Sequence, residues 1–233
     1  MSKIIGALAL ILTIILAACG GGSSPTGPSQ TPTPQPQPNR APTITSMTVA
    51  PTFGIAGLSQ FNVSSSATDS DGDALTYTWD FADGNTRTGA SVAYNYGNVA
   101  GPRDVKLSVS DGKGGTVSDT RPVTIGNLSG DWSGTVGNGI QIRATFQQAM
   151  DGSVTATWSG GGSAPSVTGI LDPAATNRID ANANFKLRFK ITRGGGFLDF
   201  TYEGRMDTTG NTLTGGVRGS GFGGDQMRLD RTR

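Results

Sequence analysis

In Phe185-Lys186-Leu187-Arg188-Phe189-Lys190-Ile191 the odd-numbered residues are apolar and the even-numbered ones are cations. Successive side chains of an extended strand point to opposite faces, so this period of two gives a strand with one buried side and one wet side. Shorter versions recur between Gly, Asp and Asn turns, as in Thr76-Tyr77-Thr78-Trp79-Asp80-Phe81, and that spacing predicts antiparallel β-structure. With 36 Gly and 12 Pro in 233 residues and only 15% charged residues, long amphipathic helices have little to form from. The inventory also removes chemistry. The chain has no His, and its single Cys is Cys19, which excludes a Ser-His-Asp triad, a His-ligated zinc and an intramolecular disulfide. A net charge of +1 argues against electrostatic binding to nucleic acid.

Lys3 followed by the apolar run Ile4 to Ala18 reads as a secretory signal, and its 15 residues are too few for a bilayer span of about 20. Residues 1–18 are therefore expected to be cleaved. Leu16-Ala17-Ala18-Cys19 resembles the bacterial lipobox, and the resemblance implies that Cys19 carries acyl chains holding the protein on a membrane. Gly20, standing where Asp would imply inner-membrane retention, implies delivery to the outer membrane. Residues 19–41 include Thr31-Pro-Thr-Pro-Gln-Pro-Gln-Pro38 and offer almost nothing apolar to bury, so they read as a semi-rigid, extended tether.

Residues 42–126 are expected to form a β-sandwich from strands Thr43–Ala50, Gln60–Ala67, Ala74–Ala82, Ser91–Tyr96, Arg103–Ser110 and Gly115–Ile125. Tyr77, Trp79 and Phe81 share one face and Val105, Leu107 and Val109 another, which places Trp79 in the core. Tyr77-Thr78-Trp79-Asp80-Phe81-Ala82-Asp83-Gly84 with Asp104-Val105-Lys106-Leu107-Ser108-Val109-Ser110-Asp111-Gly112 resembles the PKD domain family, with Ala82 where that family usually has Gly. The resemblance implies an Ig-like sandwich acting as a spacer or as a binding surface for carbohydrate or protein, without enzymatic activity. Asp69, Asp71 and Asp73 alternate through a Gly turn, and with Asp80 they are candidate oxygen ligands for Ca²⁺. Gly72 at the fourth rather than sixth position, and the absence of flanking helices, exclude an EF-hand. The other reading is a solvated turn whose carboxylates bond nearby backbone amides.

Residues 127–233 read as an eight-strand meander closing into a small up-and-down barrel, with inward faces that include Phe146, Trp158, Phe189 and Phe200. Gly130-Asp131-Trp132, with Arg228 or Arg231 on the last strand, resembles the Gly-x-Trp start and closing Arg of lipocalin- and avidin-like barrels. That resemblance implies a Trp132 that plugs the base and an Arg packed over its indole. The glycine runs Gly160–Gly162, Gly194–Gly196 and Gly219–Gly224 read as turns. None of the first two is followed by a helix start or a Lys-Ser/Thr pair, which excludes phosphate cradles. Lys186, Arg188, Lys190 and Arg193 form a basic stripe that reads either as a surface for anionic lipid or polysaccharide or as a solvated strand face whose lysines deter edge pairing.

The expected whole is an all-β, non-enzymatic protein of the bacterial envelope, partnered by the membrane through its anchor and by carbohydrate or protein at the surface. An alternative makes the barrel a carrier for a small apolar molecule, lined by Phe146, Trp158, Phe189 and Phe200. A catalytic pair of Asp199 and Glu203 is disfavoured, because an exterior strand face would not desolvate it.

Overall fold

Alternation of small polar and apolar residues, broken at Gly and Asp, yields eight short strands in the first module. They are β1 (Thr43–Ala50), β2 (Phe53–Ile55), β3 (Phe61–Thr68), β4 (Thr76–Asp80), β5 (Thr86–Thr88), β6 (Ser91–Tyr94), β7 (Gly101–Ser110) and β8 (Thr116–Gly126). The computed structural model describes residues 36–137, 139–161, 167–193, 199–219 and 221–232. The expected signal, Cys19, most of the tether, and the runs at Gly162 and Gly194–Gly196 lie outside them.

Two sheets, ordered β1-β3-β6 and β2-β8-β7-β4-β5, pack face to face. Trp79, Phe81, Val105, Leu107 and Val109 are fully buried between them. The Trp79 indole N–H donates to Gly89 O at 2.9 Å, so the ring is a satisfied core residue rather than an exposed platform. Sequence periodicity did not reveal β2 and β5, which are only three residues each. At Ala82 the backbone adopts φ 57°, the left-handed region that favours glycine. The turn is held by Ala82 N–H donating to Asp80 Oδ1 at 2.8 Å and Asn85 N–H donating to Asp83 Oδ1 at 3.0 Å.

The second module contains β9 (Gly130–Val136), β10 (Ile140–Gln148), β11 (Val154–Gly161), β12 (Val167–Leu171), β13 (Arg178–Ile179), β14 (Asn184–Arg193), β15 (Phe200–Met206), β16 (Thr212–Gly219) and β17 (Phe222–Arg231). Neighbours in sequence pair antiparallel, β17 returns to β9, and β12 meets β14, which closes an eight-strand barrel. The short β13 continues the line of β12 along β14 after an excursion over residues 172–177. One side chain bridges the break. Asn177 Oδ1 accepts from Arg188 N at 2.7 Å while its Nδ2 donates to Asp172 O at 2.8 Å, replacing ladder bonds that the backbone cannot make there. The fold is all-β, with no helix among the described residues.

The modules are joined by Asn127, Leu128 and Ser129, and residues 38–233 form one compact unit. Ile55, at the end of β2, is buried in the barrel's core rather than the sandwich's, and Phe53 and Leu58 pack against the same cluster. Polar groups at this junction are satisfied across it. Gln148 Nε2 donates to Ala56 O at 3.1 Å and its Oε1 accepts from Leu128 N at 2.8 Å. Ser59 Oγ accepts from Ile55 N at 2.7 Å and donates to Ala181 O at 3.2 Å. The approach is close enough that a Cβ on Gly57 would stand 2.7 Å from Met150 O.

Two outcomes follow from this packing. Ile55→Ala leaves a hole in the barrel floor and should lower stability by about 2–5 kcal/mol. Thermal unfolding read by Trp fluorescence and by far-UV circular dichroism should then show one common, lowered midpoint, whereas independent modules would leave the sandwich transition in place. Ala82→Gly relieves a left-handed Ala and should raise stability by about 1 kcal/mol in denaturant titration.

Candidate functional site

Asp69, Asp71, Asp73 and Asp80 have two readings, candidate Ca²⁺ ligands or a solvated turn that bonds nearby backbone amides. In the structure Asp69, Asp71 and Asp80 accept from backbone amides. Asp69 Oδ1 accepts from Asp71 N at 2.8 Å and Asp73 N at 3.3 Å, and Asp80 serves the Ala82 turn. Among the described residues no three acidic side chains form a metal-holding group. Asp71 Oδ2 instead accepts from Arg40 N at 2.7 Å, and Asp111 Oδ2 accepts from Asn39 Nδ2 at 2.8 Å. Residues 39 and 40 are thus strapped to two acidic turns at the end of the sandwich where β1 and β8 begin, the end opposite the barrel.

Phe146, Trp158, Phe189 and Phe200 lie at the centre of the barrel, all buried. Phe189 and Phe200 stack at 4.6 Å with planes 6° apart, and Trp158 meets them edge-on at 5.6 and 5.4 Å. Phe146 completes the group at 6.3 Å from Phe189. These rings occupy one another's contact surface, so the space between them is filled by the protein's own side chains. Tyr202 is buried beside them, donates to Met227 O at 3.1 Å, and has its phenol pushed well up by burial.

At the barrel floor, Arg231 lies over the Trp132 ring at 4.4 Å, and the indole N–H donates to Leu128 O at 2.8 Å. Arg231 also donates to Ser129 O at 2.6 Å and to Asn127 O and Gly210 O, and burial lowers its pKa. Arg228, the other candidate for this place, is exposed and paired with Asp230. On the outer wall, Lys186 pairs with Glu203, and Arg188 lies 3.5 Å from Asp172 and 3.9 Å from Asp199. Two cations of the basic stripe, Lys186 and Arg188, are thus ion-paired, and Asp199 and Glu203 are their partners on an exposed face. The Arg193 side chain is outside the described residues.

Pattern reading missed a groove of about 770 Å³ on the outer wall across β9, β10, β11 and β12. Cross-strand register aligns Asp131, Thr145, Thr157 and Ile170 in one outward row, and Ser133, Arg143, Ser159 and Thr168 in the next. Thr145 Oγ1 donates to Asp131 Oδ1 at 2.6 Å. The hydroxyls of Ser133, Thr157, Ser159 and Thr168 make no side-chain hydrogen bond among the described residues. Their signal in the sequence was alternate Ser/Thr on adjacent strands, which is also what an ordinary wet strand face looks like.

Residues 39–125 match the family model described as the PKD domain, and this part of the chain is a PKD domain. A pre-pro-metalloprotease of Vibrio cholerae serotype O1 (strain M66-2) is 42% identical over 71 residues, which are 30% of this chain and 7% of that protein. A microbial collagenase of Vibrio alginolyticus is 38% identical over 68 residues, 29% of this chain and 8% of that protein. The chain thus spans under a tenth of the length of these relatives. A solved structure described as the structural basis for the promiscuous specificity of carbohydrate-binding modules from the β-sandwich superfamily covers 84% of this chain and 92% of its own. The two are 14% identical, with a TM-score of 0.36.

The Asn39 amide, followed by the Lys113 and Gly115 N–H groups, holds the Asp111 carboxyl below the usual carboxylate range. A depressed folded-state pKa means that this contribution to stability is present above the unfolded value of about 4 and is lost as pH falls through the folded value. Asn39→Ala should raise the Asp111 pKa in an NMR titration of the carboxyl carbon and shift the onset of acid destabilisation to higher pH.

Proposed function

We propose that this chain is a non-enzymatic, lipid-anchored protein of the bacterial cell envelope, in which the PKD domain is a stiff spacer that presents the barrel away from the membrane. The observation that supports the reading best is the junction at Ile55, Ser59 and Gln148. A spacer is useful only if its load does not swing, and here the load is locked to it by a shared core and paired polar groups. The chain enters the sandwich at Asn39 and Arg40, at the end opposite the barrel. The segment leading from Cys19 therefore joins the unit at the sandwich end, and the β9–β10 and β16–β17 connections lie at the barrel's far end.

The non-enzymatic part of the reading is supported by the site chemistry. The acids that could act as a pair, Asp199 and Glu203, are ion-paired on an exposed face, and the barrel core holds aromatic rings. The outer membrane is the destination this reading assigns, from Gly20 after the lipobox-like Leu16-Ala17-Ala18-Cys19.

Expression of the full chain in a lipoprotein-processing bacterium tests the anchor. Wild type should partition with membranes and give an amino-terminal Cys19 peptide carrying acyl mass, and Cys19→Ser should move to the soluble fraction. A soluble wild type with an unmodified Cys19 would sink the proposal.

A further inference from the structure

We infer that the outer-wall groove of the barrel is a binding site for a neutral, polyhydroxylated chain, a glycan laid across β9, β10, β11 and β12. With strands about 4.8 Å apart, the groove runs about 15 Å across the four strands, long enough for several linked sugars. Its wall carries the Ser133, Thr145, Thr157, Ser159 and Thr168 hydroxyls. A hydroxyl both donates and accepts, as does each hydroxyl of a sugar, so the two surfaces can satisfy each other without displaced protons or buried charge.

Other ligand classes fit this lining poorly. A peptide adding as a strand needs free backbone N–H and C=O groups, but over the groove each strand is paired on both sides within a closed barrel. Among the described residues an anionic polymer would meet one groove cation, Arg143, with the Asp131 carboxylate in the neighbouring row, and Lys190 lies beyond the lining. An apolar molecule would find Ile170, 37% exposed, as the groove's one exposed large apolar side chain among the described residues. Arg143 and Asp131 together add directional donors and acceptors at no net charge. No aromatic ring is exposed among the described residues, so the affinity rests on hydrogen bonds rather than on ring stacking and should be weak, near the millimolar range.

The site lies on the barrel and does not need the anchor, so a soluble, unmodified Cys19 would leave it standing. The test is affinity electrophoresis of the detergent-extracted full chain in native gels cast with a neutral β-glucan, arabinoxylan or dextran, with alginate as the anionic comparison. At least one neutral polysaccharide should retard the protein. The double variant Thr157→Val with Thr168→Val, near-isosteric on the exposed wall, should weaken that retardation by about fivefold or more, from the loss of two hydrogen bonds of modest net value. Thr214→Val, exposed on β16 outside the groove, should leave it unchanged, and equal melting temperatures should show that all variants are folded. Absence of retardation by every neutral polysaccharide, equal retardation of the double variant, or retardation by alginate alone that fades with salt would each overturn the inference.

Discussion

One turn of the sandwich, from Ile55 to Ser59, forms part of the barrel's floor, and much of the rest follows from that contact. A small barrel has two open ends, and the apolar residues of its lower layer need a cover. Ile55, Phe53 and Leu58 supply it here, as Leu128 does from the connection. Covering an end with backbone brings in polar groups, and an unpaired one would cost about 1–3 kcal/mol. Gln148, buried at the end of β10, resolves this by donating to Ala56 O while accepting from Leu128 N. The same residue therefore closes the barrel, fixes the connection and holds the sandwich.

The barrel wall meets a second constraint, since a closed sheet has no edges only if every stave is complete. The stave between β11 and β14 is broken by Asp172-Pro173, and proline cannot donate to a ladder. Asn177 repairs it with side-chain bonds to Arg188 N and Asp172 O. Closure is then completed at the floor by Arg231, whose guanidinium lies on Trp132 and reaches Asn127, Ser129 and Gly210. Both ends of the module's chain thus meet at the floor that the sandwich covers.

Strand positions were legible because burial enforces a period of two. Phe185 to Ile191 reads as β14 at a glance, and the eight-strand meander of the barrel was legible as well. What escaped notice has no periodic signature. β2, β5 and β13 are too short to alternate, and the excursion over 172–177 depends on one Asn whose composition says only turn. The acidic turn shows the same limit from another side: alternate Asp residues suit a cation or a set of backbone amides equally well by spacing. Only the geometry distributes Asp69, Asp71 and Asp80 among separate N–H groups. Ile55 falls between the expected strands Thr43–Ala50 and Gln60–Ala67, and nothing local marks it as a plug for another module.

A packed interior shifts the useful surface outward. Where Phe189 stacks on Phe200 and Trp158 seals their edges, a guest would have to break contacts that the core already makes, and cores packed to crystal-like density resist that. The outward faces are free of this constraint, because β-strands need only be polar there. On β14, β15 and β17 part of that polarity is spent on ion pairs, Lys186 with Glu203 and Arg228 with Asp230. Between β9 and β12 it lies in hydroxyls, of which Thr145 bonds Asp131 and those of Ser133, Thr157, Ser159 and Thr168 make no side-chain hydrogen bond among the described residues. Side-chain hydroxyls contribute little to a barrel's stability when they face water, so those of the groove are available for bonds outside the chain, which is what the proposed glycan site asks of them.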